Sequence, residues 1–131
     1  MRLLLDTNIF LEVILEQEKA QEVLILLSKT EAHEFFISDY SLHSIGLLLF
    51  RKNQPEVFKQ FLVDIFHNVG LRLGALSVEE MERILQPARQ FNLDFDDAYQ
   101  YTLADCYDLI IVSFDADFDR TNRGRKTPSE V

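Results

Sequence analysis

Acidic side chains lie next to the apolar segments that are best suited to form buried strands. Asp6 comes directly after the apolar run Arg2–Leu5, and Asp115 comes shortly after Leu109–Val112. A third acidic segment, Asp94–Asp97, opens the helix that leads into this last strand. In open α/β sheets, binding sites form beyond the carboxyl ends of the strands. The spacing therefore predicts that distant segments bring carboxylates to one edge of a sheet.

Carboxylates gathered in this way would favour a bound cation. Two unit charges about 4 Å apart repel by roughly 4 kcal/mol at an effective dielectric constant of about 20, so protons or cations must neutralise such a group. Hard oxygen ligands around a small pocket suit Mg²⁺ or Mn²⁺. The reaction class that such a site indicates is the attack of a metal-activated water on a phosphodiester.

Each acid also has a structural interpretation. Asp6 alone would serve as the N-cap of the first helix. Asp94, Asp96 and Asp97 would complement the dipole of their helix as an acidic first turn. Asp119 fits a solvated loop. The argument for a site therefore depends on the coincidence of several acids at strand ends, and not on any one of them.

Four short apolar runs are the strand candidates that would position these acids. They cover residues 2–5, 35–37, 71–76 and 109–112. Runs without polar alternation are typical of strands buried on both faces of a parallel sheet. Since helical patterns separate them, we predict one α/β domain over residues 1–131, a three-layer α/β/α sandwich with a parallel sheet of four to five strands.

The helices are predicted from their caps and apolar spacing. Ser38 or Asp39 would begin one helix, and Ser77–Glu80 is a capping box that would begin another. Pro87 should kink or split that second helix because it removes a backbone donor. Around Glu16–Lys19 the pattern leaves open a helical hairpin or one long helix.

Composition excludes several broad classes. The 131 residues carry 13 Lys and Arg against 22 Asp and Glu, a formal net charge of −9, which argues against general binding to nucleic-acid backbones. The 47% of hydrophobic residues is enough for a core and excludes wholesale disorder. No apolar run reaches the ~20 residues of a membrane span. The lone Cys106 fits a reducing compartment such as the cytoplasm.

Three short motifs, in order, resemble the PIN-domain family. They are Leu3–Asn8 near the start, Asp97-Ala98 opening a late helix, and Ser113–Phe118 after the last strand candidate. The resemblance implies a divalent-metal-dependent endoribonuclease, most often the toxin of a bacterial type II toxin–antitoxin pair (VapC-like). It also implies an RNA substrate, a homodimer and a cognate antitoxin protein.

The resemblance also assigns individual residues. The acids that it assigns to catalysis and metal binding are Asp6, Asp97 and Asp115, with Asp117 as a frequent additional ligand. Asn8 is the polar neighbour of the first acid, and Ser113 takes the place of a Ser or Thr that orients the site.

The second acid of the family pattern is the exception. The segment Ser38–Ile45 matches a pattern like Ser-x-x-Ser/Thr-x-x-x-Leu, but Ser44 stands where a Glu is typical. A serine lacks the charge and reach of glutamate, so metal affinity should fall or the metal should bind differently. Asp96 or Asp117 would make up the missing charge, and His43 is a further candidate ligand.

Basic residues crowd the segment just after the last acidic loop. They are Arg120, Arg123, Arg125 and Lys126. One interpretation is a phosphate-guiding edge for RNA beside the metal site, and the other is a solvated C-terminal tail. Because of Ser44, a catalytically impaired PIN-fold protein that acts as a partner-binding module is the alternative function. A phosphoacceptor protein is disfavoured because no Lys follows a late strand as that class requires.

Overall fold

A computed structural model describes residues 1–131 and contains one four-stranded parallel sheet. The strands are β1 (Arg2–Leu5), β2 (Glu34–Ser38), β3 (Arg72–Gly74) and β4 (Ile110–Val112). Their order in the sheet is β3-β2-β1-β4. Leu3 pairs with Phe35 on one side and with Ile110 on the other, so β1 is central. Because all pairings are parallel, the carboxyl ends of the strands share one edge.

Seven α-helices connect or cover the strands. They are α1 (Thr7–Ile14), α2 (Ala20–Leu27), α3 (Asp39–Arg51), α4 (Pro55–Leu62), α5 (Val78–Met81), α6 (Leu85–Gln90) and α7 (Phe95–Tyr107). A π-helical segment, Val63–Val69, extends α4, and 3₁₀ turns cover Glu82–Ile84, Ala116–Arg120 and Pro128–Glu130. None of these helices is both long enough and apolar enough to pass through a bilayer.

The sheet separates two hydrophobic cores. Leu3 and Leu5 point into the core that includes side chains of α1, α2, α3 and α4, whereas Leu4 points into the core beneath α6 and α7. This alternation along β1 is the two-residue period of a strand that is buried on both faces. The predicted three-layer α/β/α sandwich with a parallel sheet of four to five strands is thereby confirmed, and the sheet has four strands.

The open questions on the helices are also answered. Glu16 has a left-handed backbone with φ +51°, and the chain forms a helical hairpin of α1 and α2. The helix expected around Pro87 does divide, but the 3₁₀ turn lies at Glu82–Ile84, before the proline. Pro87 itself is the third residue of α6. Backbone N–H groups in the first turn of a helix have no partner within the helix, so the proline removes no helical hydrogen bond there.

Candidate functional site

Asp6 lies at the carboxyl end of the central strand and begins α1. Its backbone N–H donates to the carbonyl of Val112 in β4 at 2.9 Å, so it is still held by the sheet. Its side chain accepts from the backbone N–H of Thr7 at 2.8 Å, as the N-cap residue of α1. The residue is only 7% exposed. The strand and the helix together therefore fix a buried carboxylate at the sheet edge.

Neutral donors surround the Asp6 carboxylate. The Nε2 amide of Gln100 donates to Oδ1 at 3.0 Å, and the Ser113 hydroxyl donates to Oδ2 at 2.7 Å. Asn8 adds a longer contact of 3.4 Å from Nδ2 to Oδ2. Burial raises the pKa of Asp6, and the hydrogen bonds from Gln100 and Ser113 oppose that rise. The carboxylate is thus oriented without being neutralised.

Asn8 and Ser113 connect the first acid to the loop that follows β4. Asn8 Nδ2 donates to the Ser113 hydroxyl at 3.1 Å, and Asn8 Oδ1 accepts from the N–H of Phe114 at 3.1 Å. The N–H of Asp115 donates to the same Ser113 hydroxyl at 2.9 Å. These contacts place Asp115 beside the end of β1, although about a hundred residues separate the two along the chain.

Three carboxylates form a compact group, which we call the acidic cluster. Oxygen atoms of Asp97, Asp115 and Asp117 all lie within 4.8 Å of one another. Burial, followed by repulsion from Asp115, Asp94 and Asp6, raises the pKa of Asp97 to about 8. Asp6 lies outside this group of three but is close enough to act on Asp97 electrostatically. The group is therefore unfavourable when all its members are ionised and no cation is present.

Local caps position the members of the acidic cluster. Asp94 is the N-cap of α7 and accepts from the N–H of Asp97 at 3.1 Å. Asp115 caps the short 3₁₀ turn that follows β4 and accepts from the N–H of Asp117 at 2.8 Å. The Asp117 side chain is half exposed and pairs with Arg120 at 3.1 Å. The Asp115 carboxylate therefore caps a turn and belongs to the acidic cluster at the same time.

Ser44 lies in the second turn of α3. Ser44 is half-buried and Asp96 is exposed, and neither belongs to the acidic cluster. Both residues act on the pKa of the Tyr40 phenol: burial raises that pKa, Ser44 lowers it and Asp96 raises it. His43 is exposed. Asp96 is thus a neighbour of position 44, not a member of the compact group.

The basic residues after β4 are engaged in ion pairs. Arg120 pairs with Asp117, and Arg123 pairs with Asp105 and Asp108 at 3.3 and 2.8 Å. Arg125 pairs with Asp119 at 3.1 Å and also donates to a backbone carbonyl. Lys126 is exposed. Their predicted role in RNA binding stays a prediction.

Sequence reasoning missed Gln100, which is central to the site. The residue is 1% exposed, and its Nε2 donates to the Ser41 hydroxyl at 2.8 Å as well as to Asp6. Ser41 accepts in addition from the Thr7 hydroxyl at 2.8 Å. The available signal was an amide residue three positions after Asp97, on the same face of the helix as that acid. Gln100 thereby joins α7 to the end of β1 and to the first turn of α3.

A divalent cation fits this donor set. All three cluster members offer carboxylate oxygens, which are the ligands that Mg²⁺ and Mn²⁺ prefer. Burial and repulsion from the neighbouring carboxylates raise the pKa of Asp97. A bound cation would offset that repulsion. Asn8, Ser113 and Gln100 are neutral and leave the negative charge of the site intact.

The chain is thus a parallel α/β sandwich with an acidic cluster at the carboxyl edge of its sheet. The model of the PIN domain family matches residues 3–124, and the chain therefore belongs to that family. The predicted family is thereby confirmed. Among curated proteins, no relative matches the sequence.

Solved structures share the fold across nearly the whole chain. The VapC20 toxin of Mycobacterium tuberculosis, described as cleaving the sarcin-ricin loop, has a TM-score of 0.76 at 14% identity, covering 92% of this chain and 95% of the other. VapBC2 of Rickettsia felis, bound to promoter DNA, has a TM-score of 0.74 at 17% identity, and the match covers 96% of this chain and 97% of the other. A toxin–antitoxin complex from Klebsiella pneumoniae has a TM-score of 0.74 at 21% identity, and the match covers 98% of each chain.

Proposed function

We propose that this PIN-domain protein is a divalent-metal-dependent endoribonuclease. The observation that carries the proposal is the acidic cluster, in which oxygens of Asp97, Asp115 and Asp117 lie within 4.8 Å of one another beside the buried Asp6. Of these hard ligands only Asp117 is paired with a basic side chain, Arg120, which supports metal binding at the others. Metal-assisted hydrolysis of a phosphodiester is the chemistry that follows.

Each residue of the site has a proposed role. Asp97, Asp115 and Asp117 would hold the cation, with Asp6 as the fourth acid. A bound Mg²⁺ or Mn²⁺ would supply an activated water and charge stabilisation at the scissile phosphate. Gln100 and Ser113 would keep the Asp6 carboxylate in one orientation, and Asn8 would hold the loop that carries Asp115.

We further propose that the chain is the toxin component of a bacterial type II toxin–antitoxin system and acts in the cytoplasm on RNA. The similar structures include one toxin described as cleaving the sarcin-ricin loop and a toxin–antitoxin complex. An apolar groove of about 590 Å³ between α1, α2 and α4 supports a protein partner, since Leu24 and Val57 line it and remain exposed. We propose an antitoxin as this partner and a homodimer as the assembly.

A second candidate function rests on position 44. We propose that Ser44 replaces the second acid of the family pattern, which lowers the negative charge available to a cation. If the remaining acids did not compensate, the protein would be a PIN-fold partner-binding module without catalysis. The two candidates differ in cation affinity, because only the nuclease requires saturable binding of Mn²⁺.

The proposal is tested by Asp6→Asn and Asp97→Asn, each assayed for hydrolysis of single-stranded and structured RNA with Mg²⁺ or Mn²⁺. We expect either change to lower the rate by at least about 100-fold, because a ligand or its charge is lost. Thermal stability should stay level or rise, since repulsion within the site is relieved.

Asp64→Asn is the matched control, because Asp64 is an exposed aspartate on the π-helical segment after α4. It should cleave RNA like the unmodified chain. Undiminished cleavage by Asp6→Asn would show that the assignment is wrong. Calorimetry with Mn²⁺ separates the second candidate: no saturable binding at millimolar cation would favour the binding module.

A further inference from the structure

A polar cleft lies between α6 and α7, and we call it the amide cleft. Its volume is about 470 Å³, and most of the residues that line it are polar. None of the four acids of the proposed metal site is among them. Small-molecule sites usually have volumes of roughly 300–1,000 Å³. The amide cleft is therefore separate from the acidic cluster and large enough for a ligand of its own.

Tyr101 of α7 gives the amide cleft an unpaired polar group. The residue is only 7% exposed, and it lines the cleft. Its hydroxyl makes no hydrogen bond to any group of the protein, although buried polar groups are nearly always paired. Burial raises the pKa of this phenol, so the hydroxyl keeps its proton at neutral pH. It therefore offers a hydrogen bond to a molecule in the cleft.

Three carboxamide side chains surround the same cleft. Gln86 and Gln90 are four residues apart and share one face of α6, and Asn122 lies in the segment after β4. All three residues are exposed, and their carboxamides make no hydrogen bond within the protein. Each carboxamide holds a donor and an acceptor side by side, which is the pattern that pairs with the polar edge of a nucleobase.

Phe91 adds an aromatic surface to the amide cleft. The residue is half-buried, and its ring centroid lies 5.4 Å from that of Tyr101. The two ring planes are inclined at 60°. Flat heterocyclic rings bind to aromatic side chains by stacking, and this contact requires no charge. A planar ligand would therefore find both a stacking surface and hydrogen-bonding groups.

The charges around the amide cleft disfavour an anionic ligand. Its only arginine, Arg83, pairs with Asp105 at 3.5 Å, and Asp105 also pairs with Arg123 at 3.3 Å. Glu82 lines the cleft without an ion pair and keeps its negative charge. A phosphate group would meet this carboxylate and no free guanidinium. An apolar ligand would leave the Tyr101 hydroxyl unpaired, so an uncharged polar ring fits best.

We propose that the amide cleft binds the uncharged base of a nucleoside. The Tyr101 hydroxyl and the three carboxamides would pair with the polar edge of the base, and Phe91 would stack on its face. A free nucleoside and a nucleotide of an RNA strand both present this chemistry. The inference goes beyond the proposed ribonuclease function, since the cleft shares no residue with the acidic cluster.

Calorimetry with adenosine, guanosine, cytidine and uridine tests the proposal. The titrations are made in EDTA, so their result does not depend on the proposed metal site. We expect saturable binding of at least one nucleoside at millimolar concentration. The 5′-monophosphate of that nucleoside should bind more weakly, because its phosphate would be repelled by Glu82.

Tyr101→Phe removes only the hydroxyl and should weaken nucleoside binding by about tenfold. Its thermal stability should stay level or rise, because the hydroxyl has no partner in the folded protein. Tyr107→Phe is the matched control, since Tyr107 is an exposed tyrosine of the same helix whose hydroxyl donates to Glu80. This variant should bind the nucleoside like the unmodified chain.

The absence of saturable nucleoside binding would overturn the proposal, and so would equal affinity of Tyr101→Phe and the unmodified chain. Tighter binding of the monophosphate would overturn it too, because the phosphate would then be the recognised group. Competition with a tetranucleotide RNA in EDTA identifies the source of the base. Displacement of the nucleoside would support the proposal with an RNA strand as the source, and retention would support it with a free nucleoside as the source.

Discussion

Asp6 is surrounded by neutral hydrogen-bond donors rather than by cations. Gln100, Ser113 and a backbone N–H contact its two oxygens directly. Such donors orient a carboxylate and favour its ionised form, yet they leave its full negative charge available to a ligand. A lysine or arginine in the same place would instead compete with a metal ion. The arrangement at Asp6 is therefore consistent with the proposed cation site.

Gln100→Leu tests the orienting role of the amide. The change removes the donor to Asp6 and Ser41, but it also removes the buried Oε1 atom, which has no hydrogen-bond partner. These effects offset each other, so we expect the free energy of unfolding to change by less than about 1 kcal/mol. Cation affinity should fall by about tenfold, as typical of the loss of a contact to a metal ligand. Calorimetry with Mn²⁺ and thermal denaturation measure the two effects.

Thr102→Val is the matched control for that variant. Thr102 is also buried on α7, and its hydroxyl donates to the backbone carbonyl of Ala98, away from the acids. Its substitution should leave Mn²⁺ affinity unchanged. Equal affinity of Gln100→Leu and the unmodified chain would contradict the orienting role.

Ser44→Glu tests whether position 44 lacks a functional acid. The added carboxylate lies one turn of α3 beyond Ser41, near Tyr40 and Asp96. We expect Mn²⁺ affinity to rise by about tenfold and RNA cleavage to increase, because one more hard ligand and one more negative charge face the cation. Leu47→Glu adds the same charge at an exposed position farther along α3 and should change neither. A Ser44→Glu variant that binds Mn²⁺ no more tightly would count against the assignment.

At the scale of elements, α7 is the helix that carries most of the site. Asp97 and Gln100 are three residues apart and share one face, so one helix supplies an acid to the cluster and a donor to Asp6. Its N-cap, Asp94, also faces Asp97 and contributes to the raised pKa of that residue. The cap therefore stabilises the helix and destabilises the ionised acid at the same time.

Substitutions of Asp94 separate these two effects. Asp94→Ala removes the cap and should lower the free energy of unfolding by about 1 kcal/mol. Asp94→Ser keeps a capping oxygen but removes the charge, so we expect stability to be unchanged, or slightly higher above neutral pH. Chemical denaturation of both variants measures the difference. Equal losses in the two variants would show that the charge, and not the capping oxygen, stabilises α7.

At the scale of the whole molecule, carboxylate repulsion makes stability depend on pH. The pKa of Asp97 is raised from 3.8 to about 8 in the folded protein, so folding favours its protonated form. The stability that this proton contributes is present below the unfolded pKa and is lost as the pH rises through about 8. Since solvent screens part of the effect, we expect the metal-free protein to lose roughly 2 kcal/mol between about pH 5 and pH 9.

Urea denaturation in EDTA across that range measures the loss, and Mn²⁺ should restore stability at the alkaline end by binding the folded state. Asp97→Asn should remove most of the pH dependence. An unchanged slope in that variant would show that another group causes it. The residual slope should belong to Asp6, whose pKa is also raised by burial.

Much of the fold was predictable because its signals are local. The runs at 2–5 and 109–112 are apolar on both faces, and the caps at Ser38 and Ser77 are formed by side chains that contact their own helices. The turn between α1 and α2 was not predictable, since it depends on a left-handed Glu16 without a Gly or Pro signal. The break before Pro87 was placed correctly only to within a few residues.

The sequence by itself determined the alternation of strands and helices, the family, and the acids that follow strand ends, because all of these depend on residue type and spacing along the chain. Only the tertiary structure decided which side chains touch. Asp6 and Ser113 are 107 residues apart and meet because β1 and β4 are neighbours in the sheet. Gln100 reaches Asp6 because α7 packs against that sheet, and the arginines after β4 meet their aspartates only after folding. Hydrogen bonds and ion pairs act over a few ångströms in space, and separation along the chain does not reveal that distance.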